Sequence, residues 1–226
     1  MQVDHLVLAA HTLDDGVAWC EATLGITPGP GGEHAFMGTH NRLFSIASDR
    51  FERAYFEVIA INPKAPRPER TRWFDLDNPA LQHAVASGPR LIHWVARCDD
   101  IHAAVAALRA QGIDRGEVLQ ADRPTPRGML RWQIPVREDG QRLFGGALPT
   151  LIQWGQVHPA DTLPPSTVAL THLATGGLPA GLKALWPQGV QTLAPSASAP
   201  LSVTLSTSRG PVDLHAVNLE VDHVQP

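Results

Sequence analysis

The chain opens with a hydrophobic pattern that it later repeats, a short apolar run followed by apolar residues at helical spacing. The first copy occupies residues 3–25 and the second residues 91–112. The helical positions are Leu13, Val17 and Leu24 in the first copy and Ile101, Val105 and Leu108 in the second. His5 and His93 take equivalent places in the two apolar runs, and a glycine follows each helical pattern. The repeat predicts two similar units, each beginning with a strand and a helix.

Strand-like runs bounded by glycine, proline and aspartate follow each helical pattern. These runs cover residues 41–46 and 54–61 in the first unit and residues 130–136 and 149–154 in the second. Each unit therefore reads β-α-β-β-β, which predicts an α+β protein with modules at residues 1–62 and 89–158. Residues 63–88 form the predicted linker. Trp73, Phe74 and Leu76 are unusual in a free linker, so we expect this segment to pack against the modules.

A third and fainter copy starts near the apolar run at residues 168–173. Its helical pattern continues through Leu178, Leu182 and Leu185, and strand-like runs follow at residues 201–206 and 212–217. The two runs flank a Ser-Arg-Gly-Pro hairpin signal. We therefore predict an incomplete third module over residues 166–226.

Composition narrows the classes of function. The formal net charge is −4, with 18 Lys and Arg residues against 22 Asp and Glu residues, which disfavours a nucleic-acid partner. The chain has no apolar run of membrane-spanning length and no secretory signal at its start, so we expect a cytoplasmic protein. Cys20 and Cys98 predict free thiols. No glycine-rich phosphate-binding motif is present, so no nucleotide cofactor is expected.

Several motifs resemble the glyoxalase-like domain family, a branch of the vicinal oxygen chelate superfamily that includes glyoxalase I and extradiol dioxygenases. The motifs are Gly32-Glu33-His34, Gly38-Thr39-His40-Asn41, Tyr55-Phe56-Glu57-Val58 and Leu148-Pro149-Thr150-Leu151-Ile152-Gln153-Trp154. The resemblance extends over roughly residues 1–175. It implies that two modules lie side by side, so that their sheets curl into a cup around a metal site.

The resemblance implies a metal site formed by His5 and Glu57 from the first module and by His93 and Gln153 from the second. Strand alternation predicts that Tyr55 and Glu57 face the cup while Phe56 and Val58 face the helices. By the same argument Leu151 and Gln153 should face the cup, with Ile152 and Trp154 outside. Such a ligand set suits Zn²⁺, Fe²⁺, Mn²⁺, Co²⁺ or Ni²⁺. A single histidine on an apolar strand is also common as a structural residue.

Glu57 is the sharpest chemical signal because it interrupts a strand that is otherwise apolar. A buried carboxylate must be paired, hydrogen-bonded or bound to a metal ion. Arg42 or Arg131 could be its partner if the role is structural. Gln153 cannot act as a base, which leaves Glu57 as the candidate catalytic residue.

A second polar cluster lies between Gly32 and Asn41. We expect His34, Thr39 and Asn41, together with Tyr55 and Arg131, to bind substrate. In the alternative interpretation, Gly38 and Asn41 serve only a turn.

Two functions remain open at this point. The first is a metal-dependent lyase, isomerase or oxidoreductase acting on a small oxygen-bearing molecule. The second is a metal-free protein that binds or sequesters a small molecule in the same cup. In both cases one chain should complete the site, in a monomer or a homodimer.

Overall fold

The computed structural model describes residues 1–125, 128–179, 181–182, 186–194 and 198–216. The first module contains β1 (Gln2–Ala9), α1 (Leu13–Leu24), β2 (Gly29–His34), β3 (Thr39–Ser45) and β4 (Tyr55–Ile61). Helix α2 (Pro79–Ala86) precedes the second module, which contains β5 (Arg90–Arg97), α3 (Ile101–Arg109), β6 (Glu117–Thr125), β7 (Gly128–Val136) and β8 (Thr150–Trp154). The last strands are β9 (Ala169–Thr175), β10 (Gln191–Thr192), β11 (Leu201–Thr207) and β12 (Gly210–His215).

Eight strands form one curled sheet in the order β2-β3-β4-β1-β5-β8-β7-β6. Within each module the first strand pairs parallel with the last, β1 with β4 and β5 with β8. Strands β1 and β5 pair antiparallel and join the modules, with His5 opposite Val95 and Val7 opposite His93. The α+β fold with two βαβββ modules is therefore confirmed, and the two histidines occupy equivalent strands.

Capping residues define where the two module helices begin and end. Thr12 accepts a hydrogen bond from the Asp15 amide, and Asp15 bonds back to Thr12, so a capping box starts α1. Gly25 ends that helix with φ of 71°, a left-handed conformation that glycine adopts without strain. Asp100 caps the start of α3 by accepting from the Ala103 amide. Both helices lie where the apolar spacing predicts them.

Strands β2 and β6 complete the modules but were not predicted. They are the two outer strands of the sheet order. Strand β2 has the sequence Gly-Pro-Gly-Gly-Glu-His, which is typical of a turn. Outer strands tolerate proline and glycine because one row of their backbone groups needs no partner within the sheet. The segment Gly29–His34 therefore forms a strand because it pairs with β3, although its own strand propensity is low.

The segment between the modules packs into the concave side of the sheet. Trp73, Phe74 and Leu76 are all at most 5% exposed, which confirms the prediction that this linker packs. Phe74 and Asp75 both have φ of 60°, a left-handed conformation unusual for residues other than glycine. The Asp75 carboxylate accepts a hydrogen bond from Arg142 Nε at 2.7 Å, which ties the linker to the second module.

Two layers of apolar side chains cover the faces of the sheet. The inner core, on the concave side, includes Val7, Val95, Ile152 and Trp132 together with Trp73 from the linker. The outer core lies on the helix side and includes residues of both modules and of the last strands, among them Leu24, Val58, Val105, Leu151 and Leu205. Cys20 and Cys98 are free thiols, as predicted. Among the described residues, no helix is long and apolar enough to cross a membrane.

The last strands form a separate four-stranded sheet in the order β10-β9-β11-β12. It packs through the outer core, and the Leu170 amide donates to the Ile46 carbonyl at 2.8 Å. Strand β9 pairs antiparallel with β11, whereas the first strand of each module pairs parallel with a full-length last strand. This arrangement does not confirm an incomplete third module. Leu185 and Val217, which belonged to that prediction, lie outside the described residues.

Candidate functional site

A small cavity of about 30 Å³ lies on the concave side of the first module. Polar residues from β1, β2, β3, β4 and β6 meet aromatic residues from β7, β8 and the linker at this point. The lining residues are His5, His34, Asn41, Leu43, Tyr55, Glu57, Trp73, Phe74, Arg123, Leu130, Trp132, Ile134, Ile152, Trp154 and Pro159. The structure therefore brings together most of the first-module residues that the sequence nominates.

An irregularity in β1 directs two consecutive polar side chains to the site. The pairing of β1 with β5 shifts between Val3 and His5, so Asp4 lies in a bulge. A bulge re-aims side chains that strict alternation would place on opposite faces. Asp4 Oδ1 accepts from His5 Nδ1 at 2.6 Å. Strict alternation would place Asp4 on the face opposite His5, and the bulge brings both side chains together.

Asp4 is fully buried and accepts three hydrogen bonds. Its Oδ2 accepts from His158 Nε2 at 2.9 Å and from Trp154 Nε1 at 3.0 Å, in addition to the bond from His5. His158 Nδ1 accepts from the Ala160 amide, so Nε2 carries the ring proton. Burial opposes ionisation of Asp4, but the bonds from His158 and His5 outweigh it and lower its pKa well below 3.8. A charged Asp4 therefore orients the His5 ring.

Glu57 is held on the other side of His5. Asn41 Nδ2 donates to Glu57 Oε1 at 2.6 Å, and His5 Nε2 lies 3.6 Å from Glu57 Oε2. The Gly32 amide donates to Asn41 Oδ1 at 2.7 Å, which fixes the orientation of the Asn41 amide. Neither Arg42 nor Arg131 supplies the partner that the structural interpretation proposed. The distance of 3.6 Å exceeds a hydrogen bond, so Oε2 and Nε2 are available to a ligand.

His34 connects this carboxylate to the second predicted cluster. Its Nδ1 lies 3.0 Å from Thr39 Oγ1, and its Nε2 lies 3.4 Å from Asn41 Nδ2. Burial, with smaller contributions from Arg123 and His5, lowers the pKa of His34 from 6.5 to about 3. The ring is therefore neutral at physiological pH. Thr39 positions His34 rather than lining the cavity itself.

Tyr55 and Arg123 border the cavity next to Glu57. The Tyr55 ring stacks on His5 with centroids 4.6 Å apart. Burial, reinforced by Asp4 and Glu57, raises the pKa of Tyr55 well above 10.0, so its hydroxyl keeps its proton. Burial also lowers the pKa of Arg123, against the opposing effect of Tyr55 and Glu57. Arg123 Nη1 is buried and has no hydrogen-bond partner among the residues that the structure describes.

His93 faces the cup but is held in a different part of it. Its Nδ1 donates to the Gly146 carbonyl at 3.2 Å, and its Nε2 accepts from the Thr150 amide at 3.1 Å and from Thr150 Oγ1 at 2.9 Å. The ring of Phe74 packs 5.2 Å from it. Burial, then Arg142 and Arg115, lowers the pKa of His93 well below 6.5. Both ring nitrogens of a neutral His93 are therefore occupied.

Gln153 and Arg131 do not lie in the cup. Gln153 Oε1 accepts from the Ile101 amide at 2.8 Å, at the start of α3 on the helix side. Leu151 also belongs to the outer core, whereas Ile152 and Trp154 line the cavity, so the predicted faces of β8 were wrong. Arg131 is exposed on the outer face of β7.

Strand pairing identifies the second-module equivalent of Glu57. Val7 lies opposite Glu57 in the first module, and the equivalent Val95 lies opposite Thr150 in the second. Thr150 therefore takes the place that Gln153 was expected to occupy. It offers a hydroxyl, and that hydroxyl already bonds to His93 and Arg115.

A family model for the glyoxalase-like domain matches residues 3–186 of the chain. This chain belongs to the glyoxalase-like family. The match covers both modules and reaches past β9, and it confirms the resemblance carried by the sequence motifs. No curated protein matches the chain.

Solved structures are similar to this glyoxalase-like protein at low sequence identity. A Staphylococcus aureus protein described as hypothetical is 14% identical, with a TM-score of 0.54 over 96% of this chain and 87% of that one. A Streptomyces coelicolor methylmalonyl-CoA epimerase in complex with 2-nitronate-propionyl-CoA is 19% identical, with a TM-score of 0.44 over 70% of this chain and 97% of that one. The epimerase from Mycobacterium tuberculosis is 16% identical, with a TM-score of 0.39 over 68% and 86%. At these identities the likeness is one of fold.

The residues that the sequence nominates for a divalent metal ion do not all converge in this glyoxalase-like domain. His5 and Glu57 converge, but His93 has both nitrogens occupied and Gln153 lies on the other face of the sheet. Catalytic zinc sites use three protein ligands. Within the described parts of the chain, no group of three or more His, Cys, Asp or Glu side chains is arranged to hold a metal ion. The arrangement therefore does not fit the ion.

Four residues of the site escaped sequence reasoning: Asp4, Arg123, Trp154 and His158. Arg123 lies on β6, a strand that was not predicted, and Asp4 reaches the site through the bulge. His158 follows β8 in a segment without helical or strand periodicity. The only local signal was the acidic residue directly before His5, because a carboxylate beside a functional histidine commonly orients its ring.

Proposed function

We propose that this protein is a metal-independent enzyme that transfers a proton on a small oxygen-bearing anion bound between Arg123 and the Glu57–His5 pair. The observation that carries the proposal is the buried Arg123 Nη1, for which the described residues supply no hydrogen-bond partner, at a cavity that the Glu57 carboxylate also lines. A buried donor next to a cavity favours a ligand that accepts its hydrogen bond. A carboxylate or enolisable carbonyl has that chemistry.

Glu57 is the proposed proton acceptor. In a bound 2-oxo acid, Glu57 Oε2 takes the proton from the carbon beside the carbonyl, and the C–H electron pair forms the C=C bond of an enolate. The carbonyl oxygen then carries the negative charge, which the Arg123 guanidinium stabilises. Returning the proton from Glu57 restores the keto form. Asn41 keeps the carboxylate in place, and Asp4 orients the His5 ring beside it.

The aromatic wall favours this chemistry over simple surface binding. Trp73, Trp132 and Trp154 line the cavity opposite the polar groups, and they exclude bulk water from the carboxylate. A cavity of about 30 Å³ holds roughly two water molecules. The small volume favours the smallest members of the 2-oxo acid class, such as pyruvate, and a ligand of that size must displace the aromatic side chains on entering.

Deuterium exchange tests the proposal directly. Pyruvate, 2-oxobutyrate and acetoacetate are incubated with the protein in D₂O, and the loss of each α-proton signal is followed by NMR. We expect protein-catalysed exchange in this panel, and we expect Glu57→Gln to slow it by about 10²- to 10⁴-fold, the usual contribution of a general base. Glu33→Gln, which removes an exposed carboxylate on β2, serves as the control and should leave the rate unchanged.

Two other results would contradict the proposal. Saturable binding without any exchange favours the alternative of a metal-free binding or sequestering protein. Exchange that disappears with chelator and returns with Zn²⁺ or Mn²⁺ favours a metal-dependent enzyme, in which His5 and Glu57 would need ligands beyond those assembled in this structure.

A further inference from the structure

A second cavity, outside the site described above, lies in the half of the cup that belongs to the second module. Its volume is about 20 Å³. Trp73 and Phe74 line both cavities, and Arg115, Gly140 and Thr150 are among the residues that line only the second. The proposed proton transfer uses none of these three residues.

Arg115 is a buried cation that receives no balancing charge from the residues described by the structure. It is 3% exposed, and its Nη2 donates to Thr150 Oγ1 at 2.9 Å. The charged group that acts on it is another cation, Arg137, which is already paired with Asp139. Burial followed by Arg137 lowers the pKa of Arg115 to about 10, so the guanidinium is still charged at neutral pH. A buried and unpaired charge costs several kcal/mol unless an opposite charge joins it.

Two residues that line this cavity carry buried hydrogen-bond donors that lack acceptors. Arg115 Nε and Trp73 Nε1 are both buried and have no partner in the part of the chain that the structure describes. Trp73 is 5% exposed. The Thr150 hydroxyl, which also lines the cavity, is already used, because it accepts from Arg115 Nη2 and gives its own proton to His93 Nε2. An electron-rich ligand would satisfy both free donors and the charge together.

We propose that the cavity between Arg115 and Trp73 binds one halide ion. A cavity needs about 10–15 Å³ to hold a single water molecule, so 20 Å³ accommodates a monatomic ion without rearrangement, whereas sulfate, phosphate or a carboxylic acid would have to displace the lining side chains. A neutral water molecule would satisfy the two donors but not the charge. Charge and size therefore both select chloride or bromide.

The linker is the element that the ion would stabilise. Trp73 belongs to the segment that fills the cup, and the adjacent Phe74 and Asp75 have left-handed backbone conformations. An ion bound between Trp73 and Arg115 bonds the linker to the segment preceding β6. Halide binding therefore requires the folded position of Trp73, and it should stabilise the folded state by mass action.

The test measures unfolding in sodium bromide and in sodium gluconate at equal ionic strength, because gluconate is too large for the cavity. We expect bromide to lower the unfolding equilibrium constant by a factor of one plus the ratio of its concentration to its dissociation constant, about 100-fold at a concentration 100 times that constant. Arg115→Met should abolish this difference between the two salts. Arg109→Met, which removes an exposed cation at the end of α3, should preserve it.

A crystal of the unaltered protein in bromide provides the second measurement, so that the test does not depend on the folding of Arg115→Met. We expect an anomalous scattering peak beside Arg115 Nε and Trp73 Nε1. Equal stability in bromide and gluconate, or a cavity with water and no anomalous peak, would overturn the proposal. An equal bromide effect in the unaltered protein and in Arg115→Met would overturn it as well.

Discussion

At the scale of single residues, the site depends on side chains whose protonation is set by their surroundings. Asp4 is charged although it is fully buried, because three donors surround it. His34 and His93 are neutral for the opposite reason, since burial and nearby arginines disfavour a second positive charge. The proposed proton transfer then rests on Glu57 and Arg123, which line the cavity beside these groups.

The neutral His34 predicts a pH dependence of stability. Its pKa is about 3 in the folded protein against 6.5 for a free side chain, so the unfolded chain binds more protons between these values. The stability that His34 contributes is complete above pH 6.5 and is lost as pH falls toward 3. From pH 7 to pH 5 the free energy of unfolding should fall by about 2 kcal/mol through this residue alone.

Denaturant unfolding at both pH values, followed by tryptophan fluorescence, measures this loss. His34→Gln should reduce the difference between pH 7 and pH 5, while the remaining decrease reflects other groups such as His93. His102→Gln, an exposed control on α3, should leave the difference unchanged. If His34→Gln behaves like this control, the ring of His34 is not held neutral by burial.

At the scale of elements, strand β2 shows how glycine makes room for the site. A Cβ atom on Gly31 would lie 2.2 Å from the Asn41 carbonyl oxygen, and one on Gly32 would lie 1.7 Å from Arg123 Nη1. The atom next to Gly31 belongs to the backbone and can move only if the strands shift. The atom next to Gly32 is the end of a flexible side chain. Gly31 is therefore needed for the pairing of β2 with β3, and Gly32 for the position of Arg123.

This difference predicts opposite outcomes for two adjacent substitutions. Gly31→Ala should lower the free energy of unfolding by about 1–3 kcal/mol, because the strands must shift. Gly32→Ala should cost less than about 1 kcal/mol but weaken binding of a small carboxylate by about 10-fold or more, because a charged hydrogen bond from Arg123 is lost. Denaturant unfolding and calorimetric titration with pyruvate separate the two effects. Similar stability losses in both variants would contradict the assignment.

At the scale of the whole molecule, the second sheet is part of the same hydrophobic core as the modules. Leu205 on β11 is fully buried and shares the outer core with Leu24 of α1 and Val105 of α3. Arg209 Nη1 also donates to the Ala22 carbonyl near the end of α1 at 2.9 Å. These contacts indicate that the modules and the second sheet unfold together rather than as independent domains.

Leu205→Ala tests this cooperativity. The substitution should lower the free energy of unfolding by about 2–5 kcal/mol, the usual cost of removing a buried leucine side chain. Fluorescence and far-UV circular dichroism should still report one coincident transition. Ser206→Ala, the exposed neighbour on the same strand, should change stability by less than about 0.5 kcal/mol. Two separate transitions would show that the second sheet is an independent unit.

The amino-acid sequence by itself determined the local elements and half of the site. Helices α1 and α3 follow from apolar spacing with an N-cap, and both are formed by contacts within a few residues. Glu57 faces the cup because β4 has one polar residue within an apolar run. His34, Thr39 and Asn41 meet because β2 and β3 form a short hairpin, which a local turn specifies.

Tertiary pairing alone decided the second half of the site. Strand β8 carries apolar residues on both faces, so its sequence does not show which face lies inward. The prediction placed Gln153 inside the cup and Ile152 and Trp154 outside it, which is the reverse of the structure. A shift of one residue in strand pairing reverses the face of every side chain, and the pairing with β5 fixes it for β8. The bulge at Asp4 likewise exists only where β1 meets β5. The linker lies in the cup because its aromatic residues pack there against apolar residues that are distant in the sequence.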